Sequence, residues 1–321
     1  MAPSFPRNGS EVIIATPGDP MIFSNLFGAP PPELTDIEFG ARQFSPQVPG
    51  AESLEDCAPG ALKDFAMLAP PGAIERRRAL ALALRALAPG APFLVLAPKD
   101  KGGGRLAREL AEFGCASNET SKRHHRICAA EADGDAAAFD AAIDAGAPRF
   151  SQTLGLWTQP GVFAWDRIDP GTALLMRHLP EFSGDGADFG CGLGLLAHAI
   201  LHSPRVKSLV MVDIDRRAVD LCRRNVSDPR ATSVWADVRS LEGRDSLDFV
   251  AMNPPFHENG GESRALGAGF IEKAAKSLRK GGVCWMVANR HLPYEAALTR
   301  NFREARSVAE EGGYKIVEAR K

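Results

Sequence analysis

The chain has 321 residues, of which 45% are hydrophobic and 24% charged, the profile of a folded protein of two domains at roughly 100–200 residues each. No run approaches about 18 consecutive apolar residues, and Met1 to Ser10 has no basic start followed by an apolar core, so neither a membrane span nor a secretory signal is expected. Six scattered cysteines and a net charge of −2 set out no disulfide framework, no zinc spacing and no global field for a polyanion; the expectation is a cytoplasmic protein with reduced thiols and no metal site, in which nucleic acid would need a local basic groove.

The first element in chain order is a short apolar strand at 12–15, leading to Thr16-Pro17-Gly18-Asp19. The string Asp64-Phe65-Ala66-Met67-Leu68-Ala69-Pro70-Pro71-Gly72 comes next, then an apolar strand within 90–97, a helix-like stretch and a strand at 126–128. An Ala/Gly/Asp-rich stretch ending in Ala147-Pro148 marks a boundary, giving domains of 1–147 and 148–321. From about Gly184 strands and helices alternate. Strands fall at 187–189, 208–214, 233–236, 248–252, 283–288 and 314–317; helices fall at 195–201, 218–226, 270–278 and 294–302. Alternation of this kind, with several strands apolar throughout, implies an α/β fold: a mostly parallel sheet with helices on both faces. The first half carries a faint copy. Residues 64–72 align with 248–256 at a spacing of 184, and 90–97 with 281–288 at 191. An internal duplication is expected, with about seven extra residues, 257–263, in the second copy.

Three motifs carry chemistry. In Asp188-Phe189-Gly190-Cys191-Gly192-Leu193-Gly194 the glycines let the chain turn sharply between a strand and a helix and let a ligand lie against the main chain. The spacing differs from the Gly-x-Gly-x-x-Gly of dinucleotide sites. It suits S-adenosylmethionine, whose ammonium Asp188 can meet directly or through water. Asp213, about 20 residues past the loop, ends the second strand, where a carboxylate can accept both ribose hydroxyls. Asp237, at the end of the third strand, can accept from the adenine amine or can serve only as a helix cap.

Asn253-Pro254-Pro255-Phe256 follows the fourth strand and is the sharpest signal. The prolines fix an extended turn and remove two N–H donors. The Asn253 side-chain carbonyl and the Pro254 main-chain carbonyl can together accept both hydrogens of a planar amine, aiming its lone pair at a methyl sulfonium. Phe256 can stack on the ring that bears the amine.

These motifs resemble class I methyltransferases acting on exocyclic or amide nitrogens. Pro160-Gly161-Val162-Phe163 with Ile168-Asp169-Pro170-Gly171-Thr172, and Val287-Ala288-Asn289-Arg290-His291-Leu292-Pro293-Tyr294, narrow the resemblance to the small-subunit ribosomal RNA guanine-N2 methyltransferases. It is strongest over 158–320. It implies two tandem Rossmann-like methyltransferase domains, the first degenerate, and action on guanine in 16S rRNA or the small ribosomal subunit by a monomer. It carries over Asp188, Gly190, Cys191, Gly192, Gly194, Asp213, Asp237 and a covering Phe163 for the cofactor, and Asn253, Pro254, Pro255 and Phe256 for catalysis. Two alternatives stay open: the same chemistry on a protein glutamine or adenine N6, for which Tyr is commoner than Phe256, and a non-catalytic RNA-binding or assembly protein. The basic cluster Lys122-Arg123-His124-His125-Arg126 is the candidate RNA contact.

Overall fold

The computed structural model describes residues 21–242, 246–255, 257–258, 261–262 and 264–321. The strand expected at 12–15, the segment 16–19 and Phe256 lie outside them. The first half runs β1 (Ile22–Phe27), β2 (Asp36–Gln43), β3 (Phe65–Leu68), α1 (Ala73–Ala86), β4 (Pro92–Pro98), α2 (Leu106–Glu112), β5 (Ser117–Lys122), β6 (His125–Glu131) and α3 (Ala136–Ala145). Its six strands form one sheet in the order β2-β1-β3-β4-β6-β5. The first four pair in parallel, and β6 is antiparallel to both neighbours. The strand order reverses at β1, which lies between β2 and β3, so the segment after it, Gly28-Ala29-Pro30, stands where a cofactor loop would. β1 hides from an apolar pattern because Ser24 and Asn25 interrupt it. Asp64 accepts from the Ser24 N–H (2.7 Å), the Ser24 hydroxyl (2.5 Å) and the Asn25 N–H (3.1 Å), so these three donors of the strand are satisfied.

A hairpin, β7 (Arg149–Ser151) and β8 (Leu156–Thr158), opens the second half. There follow α4 (Pro170–His178), β9 (Gly184–Phe189), α5 (Leu195–Leu201), β10 (Val206–Asp213), α6 (Arg216–Asn225), β11 (Ala231–Trp235) and β12 (Leu247–Met252). The short hairpin β13 (His257–Glu258) and β14 (Gly261–Glu262) occupies the extra residues. The chain closes with α7 (Arg264–Ser277), β15 (Leu278–Asn289), α8 (Glu295–Asn301), β16 (Glu304–Glu311) and β17 (Tyr314–Arg320). Seven strands form a sheet in the order β11-β10-β9-β12-β15-β17-β16. Without β11 this is the order of the first sheet, strand for strand, including the antiparallel last pair. The halves also share a device at the strand start: Asp248 accepts the Asp185 N–H at 2.8 Å, as Asp64 does that of Ser24.

Both faces of the second sheet are covered. Val250, Met252, Cys284, Met286 and Ala288 pack with α7 and α8, and the alternate residues Phe249, Ala251, Trp285 and Val287 pack with α4, α5 and α6, as the two-residue period of a strand requires. In the first half, Phe65, Met67, Phe93, Val95 and Ala97 share one cluster with α1, α2 and α3. Among the contacts that tie the halves together are an ion pair and a main-chain hydrogen bond. Arg217, at 14% side-chain exposure, bridges Glu75 of α1 (2.8 Å) and Asp215 (2.7 Å), and the Arg216 N–H donates to the Pro46 carbonyl (2.9 Å).

Candidate active site

β9 and β12 lie side by side at the centre of the second sheet and end together, with Met252 paired to Phe189. The loop after β9 has φ of 80° at Gly190, 52° at Gly192 and 88° at Gly194, a left-handed conformation that side chains with a Cβ resist. A Cβ on Gly194 would also lie 2.7 Å from the Val226 side chain, whereas one on Gly192 would meet nothing within 4 Å. The loop is thus packed against α6 on one side and open on the other. The Gly192 N–H donates to Asp213 Oδ2 (2.9 Å), and the Asp215 N–H to Asp213 Oδ1 (2.9 Å). Asp213 therefore shapes the loop from the end of β10. Burial pushes its carboxyl up to about 6.

Asp188 is fully buried below the loop, and neither carboxylate oxygen has a hydrogen-bond partner among the described residues. Burial, with Asp213 adding to it, raises its carboxyl to about 8, a nearby Ala197 amide opposing only in part. An orphaned buried carboxylate is costly. Cys191 is buried too; hydrogen bonding to Cys222 and burial hold its thiol well above the usual range, so it is no nucleophile.

Asn253 follows β12 directly. Its main-chain oxygen would lie 3.6 Å from a Cβ on Gly190, so the proline turn and the glycine loop face each other. Its side-chain nitrogen donates to Asp169 Oδ2 (3.0 Å) and Thr172 Oγ1 (2.8 Å). Pro254 is buried and Pro255 exposed. Together Gly190, Cys191, Gly192, Asn253 and Phe163 line a cleft, with Asp169, Thr172 and Ala164 on its wall. Phe163 sits there at 64% exposure. Ala164 next to it has φ of 51°, an unusual backbone of the kind concentrated at functional sites.

The other expected site residues stand apart from this wall. Asp188 and Asp213 lie behind the loop. Asp237 takes the Arg239 guanidinium (2.7–3.1 Å) and caps a helical turn through the Arg239 N–H (2.8 Å). Those hydrogen bonds hold its carboxyl below the usual range. The cap reading thus has a direct observation behind it. Asp169, Thr172 and Ala164 were given no role by the sequence. The first two entered only as part of Ile168-Asp169-Pro170-Gly171-Thr172, a string that carried the family resemblance; the structure shows it as the start of α4, with Pro at the first helical position.

The first half has closed its corresponding place. Arg76, 1% exposed, donates to the carbonyls of Pro70 (3.2 Å) and Pro71 (2.8 Å) and forms a two-pronged pair with Glu109, both bonds 2.7 Å. A guanidinium fills the turn that in the second half faces an open cleft.

Residues 153–318 match the methyltransferase small domain family. The chain is 32% identical over 288 residues to the ribosomal RNA small subunit methyltransferase C of Stutzerimonas stutzeri (strain A1501), covering 87% of this chain and 85% of that one. It is 31% identical over 243 residues to the protein of the same name in Shewanella baltica (strain OS195), covering 73% and 69%. Among solved structures, the T. thermophilus 16S rRNA N2 G1207 methyltransferase (RsmC), in complex with AdoMet and guanosine, shares the fold with a TM-score of 0.74 at 22% identity, over 95% of this chain and 89% of that one.

Proposed function

The chain belongs to the ribosomal RNA small subunit methyltransferase C family, and from this we propose that it methylates the exocyclic N2 amine of a guanine in 16S rRNA, with S-adenosylmethionine as donor. Residues 148–321 are the catalytic domain and 1–147 a degenerate copy that serves stability and RNA docking, in a cytoplasmic protein. The observation that carries this reading is the meeting of the open glycine loop and Asn253 in one cleft at the carboxyl ends of β9 and β12, where open α/β sheets bind ligands.

The residues present fit the cofactor. Asp188 offers a buried carboxylate without a partner, suited to an ammonium. Gly190 and Gly192 offer bare backbone on the cleft wall. Asp213 accepts the Gly192 N–H of the loop on Oδ2 and the Asp215 N–H on Oδ1, and a carboxylate has about four acceptor positions, so lone pairs remain for ribose hydroxyls. Asp237 holds the adenine side through the turn it caps. Phe163 covers the site from the rim. When bound, S-adenosylmethionine supplies the electrophilic methyl group. The chain's part is positioning: Asn253 Oδ1 and the Pro254 carbonyl accept the two amine hydrogens and aim the nitrogen lone pair, and the surplus proton of the methylated amine passes to solvent. Phe256, outside the described residues, keeps its stacking role.

The test is to separate binding from turnover. Asn253→Ala should keep S-adenosylmethionine affinity within about twofold and lower turnover roughly 10²-fold or more, the loss of one positioned acceptor. Near-normal turnover would remove Asn253 from the reaction.

A further inference from the structure

We propose that Asp169 and Thr172 are positioning residues that lock the carboxamide of Asn253 with its oxygen toward the cleft. The inference rests on the reading of Asn253 as the acceptor for a substrate amine. A carboxamide has two ends of nearly equal size and opposite polarity. Only one orientation can accept an amine hydrogen; the flipped one would set N–H against N–H.

The network decides between them. Asp169 Oδ2 takes three bonds: the Thr172 N–H (2.7 Å), the Thr172 hydroxyl (3.1 Å) and Asn253 Nδ2 (3.0 Å). A carboxylate only accepts. Because the Thr172 hydroxyl gives its proton to Asp169, its oxygen has only lone pairs left for Asn253, 2.8 Å away. Both neighbours thus present acceptors to the same end of the carboxamide, so that end is the NH₂. Its two hydrogens are both used, and Oδ1 is the atom left over. A flip would place that oxygen against a carboxylate and a hydroxyl lone pair beside a residue only 8% exposed, where such repulsion is poorly screened. The same aspartate caps α4, so the lock is built from a helix start. It holds the catalytic residue in its competent form before substrate arrives.

Four variants separate this role from the cap. Thr172→Val keeps shape and removes the acceptor. Thr172→Ser keeps the acceptor. Asp169→Ser keeps an N-cap but is too short to reach Asn253. Asp169→Asn with Asn253→Asp exchanges donor and acceptor between the two positions. Two quantities are read: turnover on 16S rRNA alongside S-adenosylmethionine affinity, and solvent exchange of the Asn253 side-chain NH₂ by nitrogen-15 NMR, its signal identified by its absence in Asn253→Ala. Thr172→Val and Asp169→Ser should lower kcat roughly 10- to 100-fold, leave cofactor affinity within about twofold and speed NH₂ exchange about tenfold or more. Thr172→Ser should stay near wild type, and the exchanged pair should regain activity over Asn253→Asp alone. Unchanged kcat and exchange in Thr172→Val, or equal losses in kcat and cofactor affinity, would overturn the lock. Should the wild type methylate no RNA, the functional reading fails by itself, and exchange still decides: slow in wild type and fast in the variants sustains the lock, equal rates overturn it.

Discussion

Asp188 is a carboxylate buried without a hydrogen-bond partner among the described residues, and its behaviour with pH follows. Its carboxyl titrates near 8 in the fold, and that of Asp213 near 6, against about 3.9 for a free aspartate. Between about pH 4 and those values the folded chain holds protons that the unfolded chain has released. Stability from these groups therefore falls as pH rises through that window. Melting temperatures of the cofactor-free protein should decline from pH 5 to pH 8. Asp188→Asn keeps the shape and removes the charge, so it should flatten the decline and stabilise at pH 8 by about 1–3 kcal/mol. The same change should weaken S-adenosylmethionine binding about tenfold or more. Thermal melts across pH, with and without cofactor, check both; a variant less stable than wild type at pH 8 would contradict the assignment.

In the first half, helix α1 fills the turn whose counterpart in the second half faces the cleft. Arg76 occupies the Pro70-Pro71 turn and depends on Glu109 to offset its burial. Arg76→Met should cost about 3–5 kcal/mol, because it leaves Glu109 charged and unpaired, and adding Glu109→Leu should recover most of that. On the proposal that the cofactor binds in the second half, its affinity should stay within about twofold, as measured by calorimetry. A fall in affinity would place a second cofactor site there. The sequence showed the apolar, central elements well: β9, β10, β12 and β15 were each found within a few residues, as were α5, α6 and α8. It missed β2, β5 and β16, which are polar, mostly exposed strands held by pairing rather than by an apolar stripe. It missed β1 because Ser24 and Asn25 interrupt the apolar pattern, and the carboxylate that takes the Ser24 donors, Asp64, lies 40 residues away. At the site, the glycine loop and the Asn-Pro-Pro turn were legible as local strings. The Asp169–Thr172–Asn253 contacts were not, because they join residues more than 80 positions apart.

At the scale of the whole molecule, the hairpin joining β5 to β6 carries the basic cluster proposed to meet RNA, and its turn is strained. Arg123 and His124 at its tip have φ of 47° and 61°, whereas the matching turn between β16 and β17 uses Gly312 and Gly313 at 60° and 86°. Such a turn favours Asn-Gly or Gly-Gly, so basic residues here cost stability. Arg123 pairs with Glu33 and Arg126 with Glu119, both largely exposed; pairs of that kind are worth about 0–1 kcal/mol and yield readily to phosphate. Arg123→Asn with His124→Gly should stabilise the fold by about 1–2 kcal/mol, weaken RNA binding and flatten its salt dependence by roughly one unit of slope. Identical slopes would take the hairpin off the RNA surface. The most direct measurement is nucleoside analysis of 16S rRNA, free and within the small subunit, after incubation with the protein and labelled S-adenosylmethionine. The expected result is label in N2-methylguanosine at a single position, lost with Asn253→Ala. Label in N6-methyladenosine, or no transfer by a protein that binds the cofactor normally, would contradict the proposed function.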